Sequence, residues 1–307
     1  MNDLISIVIP FYNGNKHLQN LKATIDANYT DLGSIARLEV ILVNDSPWES
    51  VNLSVFDGAK YNVTCVNHEK NMGIHRARIT GIENASGNYI FMLDQDDQVT
   101  PECIKSLYSC FSEDIDIVYG NGVFETDNGP KLILNNYCRA VVAKDNRFYM
   151  YLGNLLSSPG QCLIRKSAIP QYWMKNVIKS NCADDLFLWC LLMKKNNAKY
   201  CNKIVYIHKN TGVNFSLDKE NGYNSDREVL AYLKKANCLD ERQLKIFETR
   251  CTRNIDRLNK NKLSFSCELY SGFELLLKIA MRLISSAYKI RGKRVPRLDE
   301  FTERNLK

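Results

Sequence analysis

The chain has no Cys-x-x-Cys pair and no His-Glu-x-x-His run. Its 11 cysteines are scattered and its 4 histidines form no tight cluster. A Cys/His zinc site needs closer ligand spacing than this. No apolar run approaches the roughly 18 residues that span a bilayer. The N-terminus has no basic stretch ahead of an apolar one and enters a strand pattern at Leu4–Ile9. Free thiols without a leader read as a reduced, cytoplasmic protein. No Gly-x-Gly-x-x-Gly follows the first strand, which weighs against a dinucleotide-binding unit. No P-loop is present either, so a phosphate ligand needs a metal ion and basic side chains instead of a glycine cradle.

What is present is ordinary in bulk: 307 residues, 45% hydrophobic and 24% charged, enough for a sizeable core without disulfides. The net charge of +7 is unevenly placed. Residues 275–297 hold Lys278, Arg282, Lys289, Arg291, Lys293, Arg294 and Arg297 and no acidic residue. Without those seven, 34 basic residues face 34 acidic ones, so the body is neutral and the tail basic. This argues against a nucleic-acid footprint and for a localised contact.

Apolar strand patterns at Leu4–Ile9, Glu39–Val43, Tyr61–Val66 and Tyr89–Leu93 alternate with helical patterns at 15–29 and Ile74–Asn84. Pro10 is expected to stop the first strand. Thr100-Pro101-Glu102 reads as the capped start of another helix. The alternation predicts an α/β fold, a mostly parallel sheet flanked by helices. Beyond that, Ile115–Tyr119, Gly122–Thr126, Lys131–Leu134, Gly160–Arg165 and Lys203–His208 read as strands, with helices at Arg147–Leu156 and Leu186–Met193. From about Ser216 the pattern is helical to Lys307. The expected division is residues 1–215, with halves at 1–112 and 113–215, and a helical extension at 216–307.

Each early strand ends in polar sequence. In open α/β sheets ligands lie outside the carboxyl ends of the strands. Pro10–Gly14, Asn44–Pro47, Asn67–Gly73 and Asp94–Asp97 are therefore expected to converge on one crevice. If the fourth strand runs on, its period of two puts Asp94 and Asp96 on one face, with Gln95 between them on the other. Two aligned carboxylates suit Mg²⁺ or Mn²⁺ together with substrate phosphates. The bland alternative is a solvated acidic turn.

Four segments carry a family resemblance. These are Val8-Ile9-Pro10-Phe11-Tyr12-Asn13, Val43-Asn44-Asp45-Ser46, the Asn71-x-Gly73…Ala77-Arg78…Gly81…Ala85-x-Gly87 run, and Tyr89–Asp97. In this order they resemble a family 2 glycosyltransferase of the GT-A type nucleotide-diphosphosugar transferase fold, of the bacterial surface-polysaccharide kind. The resemblance implies donor-binding roles for Pro10, Phe11, Tyr12, Asn13, Asp45, Asn71, Arg78, Asp94 and Gln95. It implies a metal at Asp94 and Asp96, with Asp97 beside them, and a catalytic base at Asp185 in the Asp184-Asp185 pair. Neighbouring helix residues point about 100° apart, so only one of that pair can face the site. Two departures stand out: Asn44 replaces an aspartate of its motif, and Leu191 stands about where the family has an arginine.

The resemblance implies an inverting, metal-dependent transfer from a nucleotide-diphosphate sugar, preferably a UDP-sugar, to a hydroxyl of a glycan or lipid-linked acceptor. The alternatives are a non-catalytic sugar-nucleotide-binding scaffold and a nucleotidyltransferase of related fold. His75 and His208 read as structural or as site residues, and Trp173 and Trp189 as packing. Ser157–Gln161 is an expected acceptor-facing loop. Phe273, Leu276, Leu277, Ala280, Ile284 and Ala287 recur at helical spacing beside the basic residues. The 273–297 segment can lie on an anionic membrane surface or dock its apolar stripe on the body. The first of these gives a peripheral protein on the inner face of the plasma membrane.

Overall fold

The computed structural model describes residues 3–126, 129–209, 219–299 and 301. The chain runs β1 (Leu4–Phe11), α1 (Leu18–Leu32), β2 (Arg37–Asn44), β3 (Asn62–Asn67), α2 (Ile74–Asn84), β4 (Tyr89–Met92), β5 (Gln98–Val99) and α3 (Cys103–Tyr108). It continues through β6 (Ile117–Phe124), β7 (Lys131–Leu132), α4 (Tyr137–Val142), α5 (Asn146–Leu152), β8 (Cys162–Arg165), α6 (Gln171–Lys175), α7 (Asp184–Leu192) and β9 (Ala198–His208). Three long helices close it: α8 (Lys219–Ala236), α9 (Glu241–Leu258) and α10 (Phe265–Ile290).

The strands form one sheet in the order β3-β2-β1-β4-β8-β6-β9-β5, with β7 on the side of β6. β3, β2, β1 and β4 are parallel, and β8 enters antiparallel between β4 and β6. Chain order reverses between β1 and β4, the kind of switch point beside which open α/β sheets bind ligands in a crevice at the carboxyl ends. The α/β expectation holds. The expected boundary near 215 lies outside the described residues. α8 and α9 share the main core through Val229, Leu233, Phe247 and Cys251. Full burial of a side chain like Phe247 is worth about 1.5–3 kcal/mol.

Glycine spacing in α2 follows from packing. A Cβ on Gly81 would lie 2.3 Å from Val8 Cγ1, so the helix sits directly on β1. Gly73, with φ of 83°, supplies the turn into α2, and its N–H is spent on Asp45.

Several local expectations are corrected. β1 runs through Pro10 to Phe11, because Pro10 lies beyond Val8, the last β1 residue paired with β4. Thr100 does not cap a helix. Its hydroxyl donates to Ile204 O, and α3 starts at Cys103. The two short strands expected over 115–126 are one strand, β6, whose register with β9 slips near Asn121.

Candidate active site

β4 ends at Met92, so the acidic stretch is a turn and not a strand, with Asp97 N–H donating to Asp94 O at 3.2 Å. The expectation that strand period aligns Asp94 with Asp96 is therefore corrected. Asp94 turns inward and accepts from Arg78 Nη2 at 2.6 Å. Asp97 is buried, accepting from the Tyr206 hydroxyl, from Lys209 N–H at 3.3 Å and lying 3.2 Å from His208 Nδ1. Asp96 is half-buried. Burial, then the charges of Asp97 and Asp94, push its carboxyl up to about 6. A cation would relieve that crowding, so these side chains fit the divalent ion inferred for them. Among the described residues no cluster of three or more His, Cys, Asp or Glu forms a closed metal cage. Mg²⁺ does not require one where substrate phosphates complete its shell.

Arg78, on α2, is the joint of the site. Its Nη1 reaches both oxygens of Asp184 at 2.8 and 2.7 Å while Nη2 holds Asp94. All three side chains are at least three-quarters buried, which makes these charge-assisted bonds costly to break. Arg78, given a donor-binding role by the resemblance, has both terminal nitrogens engaged by carboxylates.

Asp184 and Asp185 open α7, where the helix N-terminus favours negative charge. Ala183 before them sits at φ of 60°, a left-handed conformation that a residue with a Cβ disfavours. The indole of Trp173 donates to Asp184 O at 2.8 Å and holds this strained entry. The two neighbours then diverge. Burial would raise Asp184, but Arg78 beside it holds the carboxyl below its usual range. Asp185 is pushed up to about 7, first by burial and then by the charge of Asp184. Asn154 Nδ2 donates to Asp185 Oδ2 at 2.6 Å and Leu186 N–H to Oδ1 at 2.7 Å, both favouring the ionised form.

At the other wall, Asp45 is turned into the protein. Its oxygens accept from Met72 and Gly73 N–H at 2.7 and 2.8 Å, and His68 Nδ1 lies 2.7 Å away. The donor-binding role that the resemblance implies for Asp45 thus falls on a carboxylate that also holds the loop opening α2. Gln95 likewise clamps the backbone of Tyr12, accepting from its N–H at 2.9 Å and donating to its C=O at 2.8 Å. Pro10 and Phe11 are buried, because β1 carries them into the core, and only Tyr12 and Asn13 of that turn are exposed. Asn71 is exposed.

Sequence reasoning missed Trp48. It is 62% exposed, meets Tyr12 edge-on at 5.8 Å, and donates to Asn13 Oδ1 at 2.8 Å. The two rings make an open aromatic wall beside the crevice. An unexplained Trp just after Asn44–Pro47 was the available signal. Asn154 and Tyr206 were also missed, and neither lies in a motif. His75 resolves as structural: it is buried against Trp173, accepts from Ile178 N–H at 2.8 Å, and burial lowers it to about 4. Trp173 and Trp189 are fully buried. Ser157–Gln161 is no open loop, since Ser158, Pro159, Gly160 and Gln161 are buried and Gln161 accepts from Ser157 N–H at 2.9 Å.

The arrangement is thus an acidic turn at one end of a buried arginine and a near-neutral carboxyl next to its other end. GlyG, a glycosyltransferase of Streptococcus pneumoniae, is 32% identical over 125 residues, 39% of this chain and 40% of GlyG. Dolichol-phosphate mannosyltransferase of Pyrococcus furiosus is 30% identical over 118 residues, 38% of this chain and 32% of that enzyme. The match therefore spans well under half the length of either relative. The crystal structure of Staphylococcus aureus TarS 1–349 with UDP superposes with a TM-score of 0.56 at 17% identity, covering 84% of this chain and 72% of that one. The family description "Glycosyl transferase family 2" matches residues 6–173, more than half of the 307. The chain belongs to glycosyl transferase family 2.

Proposed function

We propose that this protein transfers a sugar from a UDP-sugar to a hydroxyl of a glycan or lipid-linked acceptor, with inversion and with a divalent metal, in cell-surface polysaccharide synthesis. The observation that carries this reading is Arg78, which ties Asp94 of the acidic turn to Asp184, the neighbour of Asp185. Donor end and base end are thereby held in one rigid unit. The UDP and UDP-GlcNAc in TarS structures support a uridine donor. The dolichol phosphate in the name of the Pyrococcus relative supports a lipid-linked acceptor.

Asp96, with Asp94 beside it, would hold Mg²⁺ or Mn²⁺. Bound there, the ion supplies Lewis acidity toward the charge that develops on the leaving diphosphate. Tyr12 and Trp48 offer ring faces and edges to the base. Asp185 takes the proton of the attacking hydroxyl. A carboxyl near 7 is matched to that task at neutral pH, whereas Asp184, paired to Arg78, stays ionised and fixes the helix start. One base and no enzyme nucleophile give a single displacement, and hence inversion. The same residues argue against a non-catalytic scaffold, which has no need of a carboxyl held near neutrality.

A donor screen following nucleotide release with Mn²⁺, and again with EDTA, tests the reading. Release from a UDP-sugar that chelation abolishes is expected. Release indifferent to chelation and to Asp96→Ala would end the metal part.

A further inference from the structure

α10 has two faces, and among the described residues only one is packed. Cys267, Tyr270 and Met281 are buried, and Ser285 accepts from Cys138 N–H at 2.8 Å and donates to Asn136 at 2.8 Å. Arg253 of α9 pairs with Glu274. These contacts fix the helix to α4 and α9 along one narrow stripe. The opposite side is apolar and open. Phe265, Leu269, Leu276, Ile279, Leu283 and Ile290 are all exposed, the two largest values being 80% for Phe265 and 88% for Ile290. At 3.6 residues per turn these six lie within an arc of about 80°, and Phe273, Ala280 and Ala287 widen it to roughly 120°. The helix is 26 residues long. At 1.5 Å per residue that is about 39 Å of continuous apolar surface.

Charge is set beside this face and not across it. Lys278, Arg282 and Lys289 are exposed along one flank, between the buried stripe and the open arc. Arg291, Lys293 and Arg294 follow at the C-terminal end, also exposed. No acidic residue lies between 275 and 297. No helix among the described residues is long and apolar enough to cross a membrane. A wide apolar arc flanked by cations is the pattern of a helix that lies in the plane of an anionic interface. A second copy of this chain fits less well, because its own row of like charges would be brought against this one.

We infer that the exposed face of α10 docks on an anionic phospholipid surface, with its apolar arc in the acyl boundary and its basic flank on the headgroups. The helix docks on the body and on the bilayer at once, by different faces. Its end leads back to the crevice. Beyond the basic stretch, Leu298 and Phe301 pack with Val123, Ile204 and Ile207, at the strand end whose His208 meets Asp97. The chain beyond the helix thus reaches the strand end beside the acidic turn. Docking itself is independent of the sugar moved, but that it presents a lipid-linked acceptor to Asp185 rests on the transferase reading.

Co-sedimentation of the full chain with phosphatidylcholine vesicles, with and without about 30 mol% phosphatidylglycerol, tests this. Binding to the anionic vesicles is expected, at least about tenfold weaker on neutral vesicles or in high salt. The Leu276→Glu/Leu283→Glu variant should lose about tenfold or more of that binding while keeping its thermal midpoint and its donor cleavage without vesicles. Arg282→Gln/Lys289→Gln/Arg291→Gln should weaken binding to the anionic vesicles only. No vesicle binding by the unaltered chain, or equal binding by the double glutamate variant, overturns the proposal. So does a dimer, seen by light scattering, that this variant dissociates. If vesicles bind but no donor is cleaved by any form, the transferase reading fails and the docking stands.

Discussion

Two acidic regions meet at Arg78, and they are built in opposite ways. The turn Asp94–Asp97 crowds three carboxylates, and the cost shows in Asp96, raised to about 6. The start of α7 has only two, yet separates them further: Asp184 is held ionised by Arg78 and Asp185 is driven up to about 7. Such crowding at Asp96, while Arg78 is spent on Asp94, suits a group that awaits a cation. Separation by a built-in cation suits a proton acceptor. The difference teaches that the number of carboxylates says less than what each one touches.

The largest expected effect comes from removing the joint. Arg78→Met leaves Asp94 and Asp184 buried without their partner and should destabilise the fold by about 3–5 kcal/mol in a denaturant titration. Arg78→Lys cannot reproduce the bridge and should recover only part of this.

Next is Asp185→Asn, expected to cut transfer by roughly 10²–10⁴-fold while leaving donor binding in place, by single-turnover kinetics. Its stability should move the other way. Asp185 has a folded value raised from 3.8 to about 7, so the folded state holds this proton more tightly. Stability from that group is full below 3.8 and declines as pH rises toward 7. The Asn variant should lose this decline, so above pH 7 it should unfold no earlier than the unaltered chain.

Asn154→Ala sharpens the comparison without touching either carboxylate. Asn154 favours the ionised form of Asp185, so its loss should move the acid limb of the rate profile to higher pH. The smallest effect is at Trp48→Ala, expected to raise the donor KM by a few-fold, about 1 kcal/mol of stacking, with kcat and stability little changed.

Legibility followed locality. α2 was readable to the residue, because its turn, its packing glycine and its apolar rows all lie within Gly73–Asn84. The crevice was readable for the same reason, since each wall is a strand end. The partners were not. Asp45 and Arg78 sit in matching motifs, but what they bond, the Met72 N–H and the Asp184 carboxylate, is set by tertiary contacts across 27 and 106 residues. Asn154 reaches Asp185 across 31 residues from a segment without periodicity. The open face of α10 was a spacing in the sequence, and only packing on α4 and α9 decided which side remained exposed.

The central claim is that Asp185 is the proton acceptor and is poised near neutrality. The pH dependence of kcat, measured with saturating donor and acceptor, tests it most directly. An acid limb near pH 7 in the unaltered chain, displaced upward by Asn154→Ala and abolished with the activity in Asp185→Asn, is the predicted result. A limb that Asn154→Ala leaves in place, or transfer at full rate by Asp185→Asn, would contradict it.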